Sequence, residues 1–235
     1  MALYRDEGIV LRTWRLGEAD RIVVIMTRGR GKVRAVAKGV RKTKSKFGAR
    51  LEPTSHVALQ FYEGRELDIV TQAETIDHFR SIRDDLDRLA KATAMFEAVD
   101  HVAPDREANA KLFAMLLGAL RALAAADSPL VVPAFFLKVL ALEGYRPVLD
   151  ECVLCGTATD LVAFDADTGG TLCRSCRRGG PISAEALGLL RRILGGQLGA
   201  ALNEPPSAAT HEVDQLATRA LEHHLERRLR SVHII

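Results

Sequence analysis

Two pairs of cysteines carry the most specific chemistry in the chain. Cys152 and Cys155 have two residues between them, as do Cys173 and Cys176, and seventeen residues separate the pairs. That spacing is the pattern of a four-cysteine metal site. Each C-x-x-C turn points two thiolates at one ion, and two turns complete a tetrahedron of sulfur ligands that suits zinc and leaves no open position. A closed site admits neither water nor substrate, so one structural zinc is expected, held by Cys152, Cys155, Cys173 and Cys176. A redox dithiol would need a single C-x-x-C beside a βαβ unit, and no such unit is visible. A zinc deaminase would place a proline before its C-x-x-C, whereas Cys152 follows Glu151.

The second feature is a charge run. From Lys38 to Arg50 the chain places six cations and one aromatic, Phe47, in thirteen residues without an acidic group. Such a run repels itself and cannot form a core, so it is either a solvated loop or the binding surface for a polyanion. The locality of the charge favours the polyanion. Residues 1–50 hold 14 Lys or Arg against 4 Asp or Glu, whereas the remaining 185 hold 19 against 26. The overall charge of +3 therefore hides a basic first fifth joined to an acidic remainder, which points to nucleic acid or an anionic surface as the partner.

Nothing else in the sequence suggests catalysis. His56, His78, His101, His211, His223, His224 and His233 are scattered, and none has a Cys or Ser partner at a recognisable motif. Walker A and Rossmann glycine patterns are absent, and the expected protein is not an enzyme. With 235 residues, 48% apolar and 27% charged, the composition is that of an ordinary globular protein with one large or two modest domains. Arg121 and Lys138 interrupt the longest apolar stretches, below the roughly 20 residues of a membrane span. The N-terminal residues lack a signal-peptide apolar region, so the expected location is the cytoplasm, where the cysteines stay reduced.

These features need elements to hold them. Five strands are expected: Gly8 to Arg15, Asp20 to Arg28, Lys32 to Ala37, Ser55 to Tyr62 and Glu66 to Ile76, with Gly17, Gly29, Gly31 and Gly64 in the turns. Five short strands in so few residues predict a small closed barrel of the OB-fold type, a fold that binds single-stranded nucleic acid across one face and its loops. In the first strand, alternation puts Ile9, Leu11 and Thr13 on one face and Val10, Arg12 and Trp14 on the other. The second face would offer a guanidinium beside an indole, to stack on bases or to pack against the next domain. Phe47 inside the basic loop either stacks on a base or folds back as an anchor.

From about Asp77 the apolar period changes to 3.6. Helices are expected from Asp84 to Val102, from Glu107 to Ala126, and from a Ser128 cap with Pro129 in its first turn to near Gly144. After the cysteines, two more are expected, from Ser183 to Gln197 and from Ala209 to Arg230, the last ending in Arg227, Arg228 and Arg230. Helices on both sides of the cysteine segment are most simply one bundle that it interrupts.

The chain as a whole resembles the bacterial RecO family of DNA repair and recombination proteins. The resemblance covers nearly the full length and rests on Gly8-Ile-Val-Leu-Arg-Thr13, Gly17-Glu-Ala-Asp-Arg21, Ala35-Val-Ala-Lys-Gly39, Leu51-Glu-Pro53 and Leu140-Ala-Leu-Glu-Gly-Tyr145 in this order and spacing. It implies an α+β multidomain protein: an OB-fold over 1–80, a helical domain over 81–147, a zinc-finger-like four-cysteine module over 148–180, and a return to the helical domain over 181–235. It further implies a non-enzymatic recombination mediator, cytoplasmic and nucleoid-associated. Such a protein binds single- and double-stranded DNA, anneals complementary strands and, with RecR, helps load RecA onto strands coated by single-strand binding protein (SSB), whose C-terminal tail it recognises. Some family members lack the cysteines, so zinc stands apart from the shared activity.

Charge and placement nominate Arg12, Arg34, Lys38, Arg41, Lys42, Lys44, Lys46 and Arg50 as phosphate contacts, with Trp14 and Phe47 as stackers. Backbone contacts and stacking carry little base information, so sequence preference should be small. An RNA-binding or transcription-associated OB-fold and zinc module without annealing activity is the alternative reading. A protein-bridging scaffold is a third.

Overall fold

The computed structural model describes residues 2–232, which leaves His233 outside the described residues. The chain divides into two compact units, one ending at Ala124 and the other starting at Ala125.

The first unit is built on five strands: β1 (Leu3–Leu16), β2 (Asp20–Thr27), β3 (Gly31–Ala37), β4 (His56–Tyr62) and β5 (Asp68–Asp77). They close into a barrel in the order β1-β2-β3-β5-β4, with β3 and β5 parallel and the other pairs antiparallel. This is the OB-fold. Its core holds Val10, Val23, Ile25, Val33, Val57, Leu59, Phe61 and Val70, the inward residues of alternating strands. β1 starts five residues earlier than its apolar pattern suggests, because Leu3 to Ile9 pair with β4 and close the barrel.

Simple alternation fails in the middle of β1. Val10 faces Ile25 of β2 and Arg12 faces Val24, so Leu11 is an extra residue in a bulge. The bulge reverses the side-chain phase. Val10 therefore enters the barrel core, while Arg12 and Trp14, expected on its face, point outward.

After the barrel come α1 (Arg80–Arg83), α2 (Leu86–Val102) and α3 (Ala110–Ala125). Asp85 caps α2 by accepting a hydrogen bond from the Arg88 amide, and the helix lies against β1. Gly31, at φ +68°, lets the strand pass the segment before α3, since a Cβ there would stand 1.7 Å from the Glu107 carbonyl oxygen. Asp68, fully buried, ties the same region together. It accepts hydrogen bonds from the Tyr4 hydroxyl, the Arg106 guanidinium (2.8 Å) and the Gly64 amide (2.9 Å). Burial and the bond to Asp68 hold the Tyr4 phenol neutral, well above the usual tyrosine range. Replacing Asp68 with Asn should cost about 1–3 kcal/mol, because Arg106 loses its anionic partner and one acceptor becomes a donor. Chemical denaturation checks this, and an unchanged midpoint would show the network to be energetically idle.

The second unit contains α4 (Val131–Leu142), a three-stranded sheet of β6 (Leu161–Asp165), β7 (Gly170–Cys173) and β8 (Gly180–Pro181), then α5 (Ala184–Leu194), α6 (Leu198–Leu202) and α7 (Ala208–His224). α4 packs against α5 and α7, which come after the cysteine segment. α4 starts later than its proline suggested: Pro129 precedes it and Pro133 occupies its first turn, where a missing N–H leaves no bond unmade. Ser128 is not its cap; its hydroxyl accepts from the Leu130 amide in the turn before. α7 ends at His224 instead of Arg230. Glu226 turns left-handed at φ +50° and the Arg227 amide bonds back to the Glu222 carbonyl, which closes the helix and puts the three arginines beyond its end. Among the described residues no helix is long and apolar enough to cross a membrane.

Candidate nucleic-acid interface and metal centre

The basic loop joins β3 to β4 and is stapled at both ends. At its start the Gly39 amide donates to the Asp20 carboxylate at 2.7 Å. Near its end a short 3-10 turn, Gly48–Leu51, leads back to the barrel. Phe47 and Leu51 insert into the barrel core, and Phe47 is only 1% exposed. Its ring is thus an anchor and has no face free for a base, which removes Phe47 from the expected stackers. The burial of one large ring offsets part of the entropy of ordering a run of like charges.

With Phe47 inside, the cations are turned outward. Lys38, Arg41, Lys42, Lys44, Lys46 and Arg50 are all exposed. Three are held by backbone carbonyls: Arg41 by Glu18 (2.8 Å), Lys46 by Thr71 (2.9 Å) and Arg50 by Lys46 (2.9 Å). None of the six forms an ion pair with a carboxylate among the described residues. Elsewhere in the barrel several cations are neutralised locally, Arg21 by Glu52, Arg28 by Glu7, Arg30 by Glu63 and Lys32 by Asp100 and Asp105. The loop therefore concentrates positive charge that no carboxylate among the described residues compensates.

Arg34 is exposed on the outer face of β3 and likewise unpaired with acid among the described residues, whereas Arg12 is bound to Asp100 of α2 at 2.8 Å. Trp14 is half-buried with both guanidiniums over its ring, Arg12 at 5.1 Å and Arg34 at 5.8 Å from the centroid. No local signal could have found Asp100, which reads as one acid among several on an amphipathic helix.

The four cysteine sulfurs all lie within 4.8 Å of one another, and those of Cys155 and Cys173 are 3.7 Å apart. A tetrahedron with metal–sulfur bonds of about 2.3 Å has edges of about 3.8 Å, so the cluster has the size of a metal site. Each pair sits on a tight turn. In the first, the Gly156 amide donates to the Cys152 carbonyl and Gly156 takes φ +73°; in the second, Cys173 ends β7 and a 3-10 turn carries Cys176. The thiols differ sharply in acidity. Backbone hydrogen bonds from Cys173, and then from Leu154 and Cys155, outweigh burial and bring Cys152 down to about 6. Hydrogen bonding with the Cys155 and Cys173 thiols pushes Cys176 up to about 12. A divalent cation binds cysteines as thiolates, so filling this cluster would release the protons its thiols still carry. The chain's single His-x-Glu triplet, His224-Leu225-Glu226, starts on the last residue of α7 and contributes no ligand to the cluster, the His224 ring instead meeting Tyr145 at 4.1 Å.

Comparison with known proteins agrees with this architecture. Residues 1–79 match the family model described as recombination protein O N terminal, and residues 83–233 match recombination protein O C terminal. The chain belongs to the RecO family. Two curated relatives bear the name DNA repair protein RecO. That of Nocardioides sp. strain JS614 is 46% identical over 240 residues, covering 98% of each chain. That of Streptomyces coelicolor strain A3(2) is 44% identical over 247 residues, covering 100% of this chain and 99% of the relative. RecO membership thus extends over the barrel, the basic loop and the cysteine module alike.

Proposed function

We propose that the protein is a recombination mediator in DNA repair, acting without catalysis. It holds single- and double-stranded DNA along the outer face of β1 to β3 and the Lys38–Arg50 loop, and anneals complementary strands. With RecR it helps load RecA onto SSB-coated DNA through recognition of the SSB tail. Its place is the cytoplasm, on the nucleoid. One zinc per chain at Cys152, Cys155, Cys173 and Cys176 holds the cysteine module. RecO membership and the names of its relatives support the repair assignment. The observation that carries the physical mechanism is the basic loop, six exposed cations without a carboxylate partner among the described residues. Two strands that repel each other can be brought together only where their charge is compensated, and an unpaired cation releases a counterion when it meets phosphate.

The test is annealing of complementary strands coated with SSB, with the parent beside a variant in which Lys38, Lys42 and Lys44 are Ala. Lys46 is left in place because its tether to Thr71 makes it part of the loop's structure. The parent should accelerate pairing. The variant should bind all sequences more weakly, with a salt dependence shallower by roughly two counterions at about 0.7 to 0.9 per lost contact. Binding without acceleration of pairing would refute the mediator reading and favour a simple nucleic-acid-binding module.

A further inference from the structure

We propose that Trp14, Arg12 and Arg34 form a subsite selective for single strands, in which one unpaired base stacks on the indole. The proposal rests on the reading that the barrel binds DNA and assigns one place on it to a distinct class of ligand.

The strand register builds the subsite. Arg12 of β1 faces Val24 of β2, which faces Arg34 of β3, and Trp14 lies two residues beyond Arg12. The bulge at Leu11 sets the phase that puts Arg12 and Trp14 on the same outward face. Two strand spacings of about 4.8 Å separate Arg12 from Arg34, a span that their long side chains cover to reach the same indole. Both guanidiniums fall within the roughly 6 Å at which a cation is attracted to an aromatic face.

The two arginines are not equivalent. Arg12 is clamped by Asp100, a carboxylate that is 14% exposed and also binds Lys32 at 3.3 Å. Its charge is already compensated and its position fixed, so it serves as one wall of the subsite. Arg34 is exposed, has no carboxylate partner among the described residues, and sits farther from the ring. It can leave the indole for a phosphate while a base takes its place, and base–aromatic stacking accepts any base. A duplex keeps its bases inside the helix and must unpair one to reach the ring. It can meet Arg34 through phosphate but cannot cover Trp14.

Trp14 is the only tryptophan in the chain, so its emission reports this subsite alone. Dye-labelled oligothymidylate and a duplex of equal length are each titrated, with dye anisotropy reporting binding and indole emission reporting stacking. The single strand should quench Trp14 in step with anisotropy, while the duplex binds and leaves the emission unchanged. Trp14→Ala should weaken single-strand binding roughly 5- to 150-fold, the range of one lost base stack, and leave duplex affinity within about twofold. Trp14→Phe, which keeps a ring on the barrel surface, should restore most of that loss. Arg34→Ala should make the single-strand salt slope shallower by about 0.7, and Arg12→Ala should leave it unchanged because Asp100 already neutralises that charge. Single-strand binding without a change in emission, equal quenching by duplex, or equal weakening of both ligands by Trp14→Ala would each overturn the subsite. Absence of anisotropy change with either DNA would instead overturn the DNA-binding reading on which it rests.

Discussion

Removing the metal, by chelation or by Cys173→Ser, should unfold the cysteine module while the barrel stays intact. The module has almost no core of its own: its buried cluster consists of Cys152, Ala163, Leu172 and Cys173, with Val153, Leu161 and Cys176 packed around it. Two of those four buried side chains are cysteines of the proposed metal site, so the residual apolar burial cannot offset the entropy of ordering roughly 30 residues. Structural zinc sites of this kind contribute about 10–16 kcal/mol of apparent binding free energy, which is also folding free energy. Hydrogen exchange should show loss of protection across β6 and β7, whose Leu161–Cys173 and Ala163–Leu172 pairings run into the sulfur cluster at Cys173. DNA affinity should change far less than stability, since the basic Lys38–Arg50 loop lies in the other unit. A metal-free protein that retained full protection in β6 and β7 would refute a structural metal.

The second large effect is expected at Phe47. Truncation to Ala removes a fully buried ring from the barrel core and should destabilise the first unit by about 3–5 kcal/mol. Phe47→Leu, which keeps most of the volume, should cost much less. The loop should also lose its fixed path, because the staple that turns its cations outward is gone. Affinity for DNA should then fall at unchanged salt slope: the same charges still release the same counterions, but they must first be ordered. Denaturant titration and a salt series together separate this from loss of direct contact. If Phe47→Ala proved as stable as the parent, the anchoring role would be wrong.

The contrast between Phe47 and Trp14 shows where reading the chain stops. Both are single aromatics among cations, and nothing local distinguishes them. Phe47 is drawn inward because the loop folds over one end of the barrel, and that closure is made by strands distant in sequence. Trp14 stays half-exposed because the Leu11 bulge sets the phase of β1 against β2. A period-two pattern has no means to announce an inserted residue when Ile9, Val10 and Leu11 are all apolar. Arg12 and Arg34 look alike in sequence, and only the approach of α2 places Asp100 on one of them.

Properties carried within a few residues were legible before any fold was known. These are the strand and helix periods, the two C-x-x-C turns and the concentration of positive charge in the first fifth of the chain. They can be read directly because side-chain direction along a strand or helix, and the bite of a two-cysteine turn, depend on local backbone geometry alone. Long-range folding settled the rest: which of those charges remain without an acidic partner, which aromatic is buried, where α4 starts and where α7 ends. Most of these outcomes are set by a partner brought close through distant pairing and packing, such as Asp100 for Arg12 or the barrel core for Phe47. Burial and compensation are properties of the assembled neighbourhood, and no window along the chain contains it.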